Sequence, residues 1–115
     1  MEYHTAAAAL GALAHEGRLA IYRLLVEAVP GGLTVGVIAK KLALPGATLS
    51  FHLAQLQHAK LVAARREGRR LIQTADFGQM NNLVAFLTEN CCGGQTCAPV
   101  CKPAVKPKGS RAKRD

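Results

Sequence analysis

Apolar residues recur at helical spacing in short blocks separated by turn residues. Residues 5–13 are Ala-rich and predict a first helix, alanine being the strongest helix former. A second helix is predicted from about Glu16 to Ala28. There Ile21, Leu24, Leu25 and Ala28 fall at i, i+3, i+4 and i+7, and Pro30-Gly31-Gly32 ends the run. Thr34 is placed to cap a third helix in which Val35, Ile38, Ala39 and Leu42 repeat the spacing. Pro45-Gly46 predicts a turn. A fourth helix follows from about Ala47 to Ala59, burying Leu49, Leu53 and Leu56.

The period then changes. Leu61–Arg66 and Arg69–Thr74 flank Glu67-Gly68, which reads as a two-residue hairpin turn because glycine accepts positive φ. Asp76, with Gln79 three residues on, resembles a capping box and opens a last helix. Its stripe of Phe77, Met80, Leu83, Val84 and Leu87 needs a partner beyond a small core, and the first helix of a second subunit fits that need. Two short helices joined by a tight turn and followed by a basic hairpin describe a winged helix-turn-helix. The predicted fold is thus mainly α with a β-hairpin wing, and homodimeric.

The chain has 115 residues, half of them hydrophobic, with few aromatics. That suits one small domain of packed helices, for which dimerisation would help burial. Residues 1–92 are expected to form the DNA-binding and dimerisation domain. The Gly- and Pro-punctuated, Lys-rich stretch 93–115 reads as a flexible basic tail. No run approaches the roughly 18 apolar residues of a membrane span. The apolar run Ala6–Ala14 lacks the basic flank of a signal peptide, so a cytoplasmic protein without a membrane partner is expected.

The net charge of +8 is placed unevenly. Lys102, Lys106, Lys108, Arg111, Lys113 and Arg114 stand against Asp115 in the tail, and Arg65, Arg66, Arg69 and Arg70 stand against Glu67 at the hairpin tip. The remaining charges cancel, so two basic patches sit on a neutral body and point to a polyanion. A recognition helix presents short polar side chains to base edges while cations hold phosphates. The fourth helix offers Thr48, Ser50, His52 and Gln55 outside its leucine face, with Lys40 and Lys41 ending the helix before it. These, with the four arginines, are the candidate contacts to double-stranded operator DNA.

The run from Ala47 to Val62, with Ser50-Phe-His-Leu-Ala-Gln-Leu56 at its centre, resembles the recognition helix of the ArsR/SmtB family of metal-sensing repressors. Arg18-Leu-Ala-Ile-Tyr-Arg-Leu-Leu25 is similar to that family's second helix, and the likeness covers about residues 8–90. The resemblance implies a repressor that dimerises through its first and last helices and leaves its operator when an inducer binds. It also implies that Ser50 and His52 lie near DNA.

Four cysteines fall within eleven residues: Cys91, Cys92, Cys97 and Cys101. Thiolates bind soft ions, and arsenite or antimonite favours three sulfurs in a pyramid. Gly93-Gly94 lets the chain double back, which brings Cys97 within reach of the adjacent pair; Cys101 is a possible further ligand. A Cys-Cys pair followed by a third Cys after the last helix is similar to the trivalent-arsenic site of one branch of the family. That resemblance implies As(III) or Sb(III) as inducer on Cys91, Cys92 and Cys97. Two other readings remain open: a soft divalent metal (Zn, Cd or Pb) on four thiolates, and reversible thiol oxidation. No organic cofactor is implied. No enzyme motif is found, since Cys-x-x-Cys beside a βαβ unit, a Cys-x5-Arg loop and a phosphate-binding Gly-rich loop are all missing. A small non-DNA arsenite carrier is a further alternative, and the four-arginine hairpin counts against it.

Overall fold

The computed structural model describes residues 1–90, so all four cysteines and the predicted tail lie outside the described residues. Five helices and three strands follow in the order α1 (Tyr3–Leu13), α2 (Glu16–Glu27), β1 (Leu33–Thr34), α3 (Val35–Leu42), α4 (Gly46–His58), β2 (Val62–Glu67), β3 (Arg70–Ala75) and α5 (Phe77–Thr88). The fold is a winged helix-turn-helix.

Local chemistry sets most boundaries. The Thr34 hydroxyl accepts from the Val37 N–H and starts α3, and the Asp76 carboxylate accepts from the Gln79 N–H and starts α5. The capping box at α5 is only half formed. Gln79 does not reach back to residue 76 but donates to the Ala59 carbonyl at 3.1 Å, tying α5 to the end of α4.

Each helix contributes a few small or branched side chains to one core. Ala6, Ala9 and Ala12 bring α1 close to the rest, where they meet Ile21, Tyr22 and Leu25 of α2 and Ile38 of α3. Leu49, Leu53 and Leu56 of α4, Leu61, Val62 and Ala75 of the wing base, and Leu83 of α5 complete it. Leu83 is buried, while Phe77, Val84 and Leu87 stay exposed. Tyr3 of α1 meets Phe86 of α5 edge-on, with ring centroids 5.3 Å apart.

Two features of the sheet differ from the sequence expectation. A third strand, β1, pairs antiparallel with β3, giving the order β1-β3-β2. Two residues carry too little pattern to be read as a strand, and their partners lie about forty positions on. The hairpin turn also falls one residue later, at Gly68-Arg69, since Glu67 pairs with Arg70. Gly68 takes φ +64°, the left-handed conformation for which glycine is suited. Among the described residues, no helix is long and apolar enough to cross a membrane.

Candidate nucleic-acid interface

The helix-turn-helix is formed by α3, a three-residue turn and α4. Ala43 ends α3 in the left-handed conformation, and the Leu44 N–H closes back on the Ala39 carbonyl at 3.1 Å. Pro45 then begins α4 in extended conformation without a side-chain cap. The first N–H groups of α4 are consequently open to an acceptor such as a phosphate oxygen. Lys40 and Lys41, in the last turn of α3, are exposed beside this turn.

Along α4, Leu49, His52, Leu53 and Leu56 form the buried face. Thr48, Ser50 and Gln55 are exposed, as the DNA-facing reading requires. His52 is not. It is 5% exposed and lies beneath α4 against the start of α2, a correction to its expected place among the DNA contacts. Its position at i+3 from Leu49 and i+4 before Leu56 explains this, because those spacings place it within the leucine stripe.

The buried imidazole is surrounded by cationic or ionisable groups. His52 Nδ1 lies 3.4 Å from Arg18 Nη1, and the His15 ring centroid is 4.6 Å away. Because Arg18 can only donate, His52 Nδ1 acts as the acceptor and its proton sits on Nε2. Burial first, then His15 and Arg18, lower the His52 pKa below its ordinary value. This pairing of His15 with His52 was not legible in the sequence, where the two lie 37 positions apart.

The wing presents its cations unequally. Arg66, Arg69 and Arg70 are exposed. Arg65 is also exposed, yet its Nε is bound to Glu67 at 2.8 Å and its Nη2 donates to the Gly31 carbonyl at 3.0 Å. Arg65 therefore braces the wing against the loop before β1, leaving the tip charge to the other three. At the wing base, Gln57 Nε2 of α4 donates to Gln73 Oε1 of β3 at 2.7 Å, which fixes the reading helix relative to the wing. A large apolar residue of α4 stands outside the sequence-derived set: Phe51 is 59% exposed. Among the described residues, no three His, Cys, Asp or Glu side chains gather as a metal site.

An exposed polar helix flanked by lysines and a basic wing is an arrangement that places one element in a major groove and a second on the adjoining backbone. Comparisons with known proteins agree with it. Residues 13–65 match a family described as a helix-turn-helix domain. No curated protein sequence matches the chain. Among solved structures, HlyU from Vibrio cholerae is 31% identical, with a TM-score of 0.62 over 80% of this chain and 99% of that one. The homodimeric winged helix-turn-helix DNA-binding domain of a possible ArsR-family regulator from Mycobacterium bovis is 28% identical. Its TM-score is 0.60, over 83% of this chain and 88% of that one. An ArsR-like transcriptional regulator from Rhodococcus shares the fold at a TM-score of 0.71 and 23% identity, over 80% of this chain and 84% of that one. The chain belongs to the ArsR/SmtB family of winged helix-turn-helix, DNA-binding transcriptional regulators.

Proposed function

We propose that the chain is a homodimeric repressor that releases its operator when trivalent arsenic or antimony binds Cys91, Cys92 and Cys97. The observation that carries this reading is the position of the cysteine cluster. It begins three residues after Thr88, the last residue of α5, the helix whose Phe77, Val84 and Leu87 lie uncovered. An exposed apolar stripe of that size on a small domain calls for a partner surface. Tyr3 and Leu10 of α1 are exposed as well, so α1 and α5 together supply a self-complementary face for a two-fold dimer. The dimeric Mycobacterium bovis domain supports this assembly.

In such a dimer the two α4 helices address successive major-groove segments about one DNA turn apart, on a pseudo-palindromic operator. Thr48, Ser50 and Gln55 approach base edges and the phosphates beside them. Lys40, Lys41, Arg66, Arg69 and Arg70 neutralise phosphates, and Arg65 holds the wing in position. Three thiolates closing on one As(III) or Sb(III) tie the chain after α5 back to that helix. The interface helix then differs between free and bound forms, and so does the spacing of the two reading helices. A coupling of about 1–3 kcal/mol between two such sites weakens operator binding about 5- to 150-fold.

Replacing Cys91 or Cys92 by Ser tests the assignment. Both variants are expected to hold the operator as tightly as the wild type and to stay bound when arsenite is added. Loss of operator binding in the variants, without arsenite, would contradict the separation of reading from sensing. Release by zinc, cadmium or lead, or by oxidant alone, would assign the cysteines to one of the competing chemistries.

A further inference from the structure

The outermost line of α4 is apolar. Ala47, Phe51 and Ala54 lie at i, i+4 and i+7, opposite the buried Leu49, His52, Leu53 and Leu56, and all three are exposed. Phe51 is 59% exposed, although a phenyl ring gains from leaving water. Its neighbours explain its orientation without covering it: the ring lies tilted beside His52, centroids 5.9 Å apart, while the faces of α4 next to the core are already filled. Polar residues flank this line, with Thr48 and Gln55 on one side and Ser50 on the other. Exposed cations stand on the elements before and after α4 in the chain, Lys40 and Lys41 in the last turn of α3 and Arg66, Arg69 and Arg70 on the wing.

An apolar ridge on a helix that lies between two basic elements of the chain fits a polyanion that carries apolar groups in a groove. In the major groove of duplex DNA the only apolar group on a base edge is the C5 methyl of thymine. Elsewhere the base edges there offer mainly donors and acceptors, which a phenyl ring would strip of water without replacing their hydrogen bonds. We propose that Phe51, seated between Ala47 and Ala54, reads thymine methyl groups and makes each operator half-site demand thymine where the ring lands. The assignment rests on the DNA-binding reading above and deepens it by naming the base feature that the centre of the recognition helix selects. Ser50, Thr48 and Gln55 supply the hydrogen bonds on either side, so the apolar selection is local to one or two base pairs.

The test uses the full chain and its own upstream DNA, with the operator first located by footprinting. Each thymine of a half-site is replaced in turn by deoxyuridine, which removes only the methyl and leaves the hydrogen-bonding edge intact. Affinities are measured by anisotropy for wild type and for Phe51→Ala. At one or two positions the wild type is expected to lose about fourfold in affinity, the worth of one buried methylene-sized group. At those same positions Phe51→Ala should bind thymine and deoxyuridine alike. A deoxyuridine penalty that is equal in both proteins at every position would overturn the inference, because something other than Phe51 would then sense the methyl. A change of oligomeric state in Phe51→Ala, seen by sedimentation with its thymine sensitivity retained, would assign the ridge to contact between copies of the chain. Failure of the wild type to bind any duplex would instead overturn the DNA-binding reading, and this assignment with it.

Discussion

Arg18 of α2 joins α1 to the recognition helix: its Nε donates to the Ala12 carbonyl of α1 at 2.6 Å, and its Nη1 lies 3.4 Å from Nδ1 of His52 in α4. One guanidinium thus links the last turn of α1 to the buried imidazole of α4. The link needs a neutral imidazole, since a protonated His52 would set two cations against each other in a buried space.

A pH dependence of stability results. Burial, His15 and Arg18 hold the His52 pKa below the ordinary 6.5, so below that pH the unfolded chain binds more protons than the folded one. The contribution of His52 is therefore fully present above pH 6.5 and is lost as pH falls through the depressed folded value. Thermal melts from pH 8 to pH 5 should show a steeper loss of Tm in the wild type than in His52→Gln. Parallel curves would show that His52 is not the group responsible.

The amide pair at the wing base should behave non-additively. Gln73 is 1% exposed and its Oε1 is met by Gln57 Nε2. Gln57→Ala strands that buried acceptor and should cost about 1–3 kcal/mol in urea unfolding. Replacing both partners, as Gln57→Ala with Gln73→Leu, removes the stranded group and should recover most of the loss. Simple addition of the two single costs would contradict the coupling.

Two glycines with positive φ should differ sharply on substitution by alanine. At Gly68, φ is +64° but a Cβ would meet no atom within 4 Å, so Gly68→Ala carries only the backbone cost of about 1–2 kcal/mol. At Gly32, φ is +77° and a Cβ would stand 2.6 Å from the Gln73 carbonyl oxygen and from Thr74 Cγ2. Gly32→Ala must also displace β3, and its loss in denaturant unfolding should clearly exceed that of Gly68→Ala. Equal losses would mean that β3 yields freely beside the loop.

Most of this architecture was legible in the sequence because helices announce themselves locally. The Leu49/Leu53/Leu56 stripe, the Thr34 and Asp76 caps and the α3–α4 order all depend on residues a few positions apart. Strand β1 was not legible: Leu33 and Thr34 owe their extended state to Gln73 and Ile72, a pairing that no local period encodes. The one-residue shift of the hairpin turn has a related cause, since the full β2–β3 register and not the Glu67-Gly68 dipeptide alone sets the turn. His52 is a different case. Its spacing from Leu49 and Leu56 already placed it on the core face, but its polarity and the Ser-x-His-Leu resemblance drew it to the DNA face. Arg65 shows the same limit, because nothing nearby in sequence reveals that its guanidinium reaches the Gly31 carbonyl. Phe51 carries no hydrogen-bonding group, so its side chain alone does not mark it as a base contact.

In the proposed mechanism, soft-ion binding after α5 controls operator binding by α4 and the wing. Fluorescence anisotropy of the full chain on its upstream DNA, titrated with arsenite under reducing conditions, tests it most directly. Tight binding is expected without arsenite, with release at micromolar arsenite and no release at equal zinc. Tight binding that arsenite leaves unchanged would contradict it.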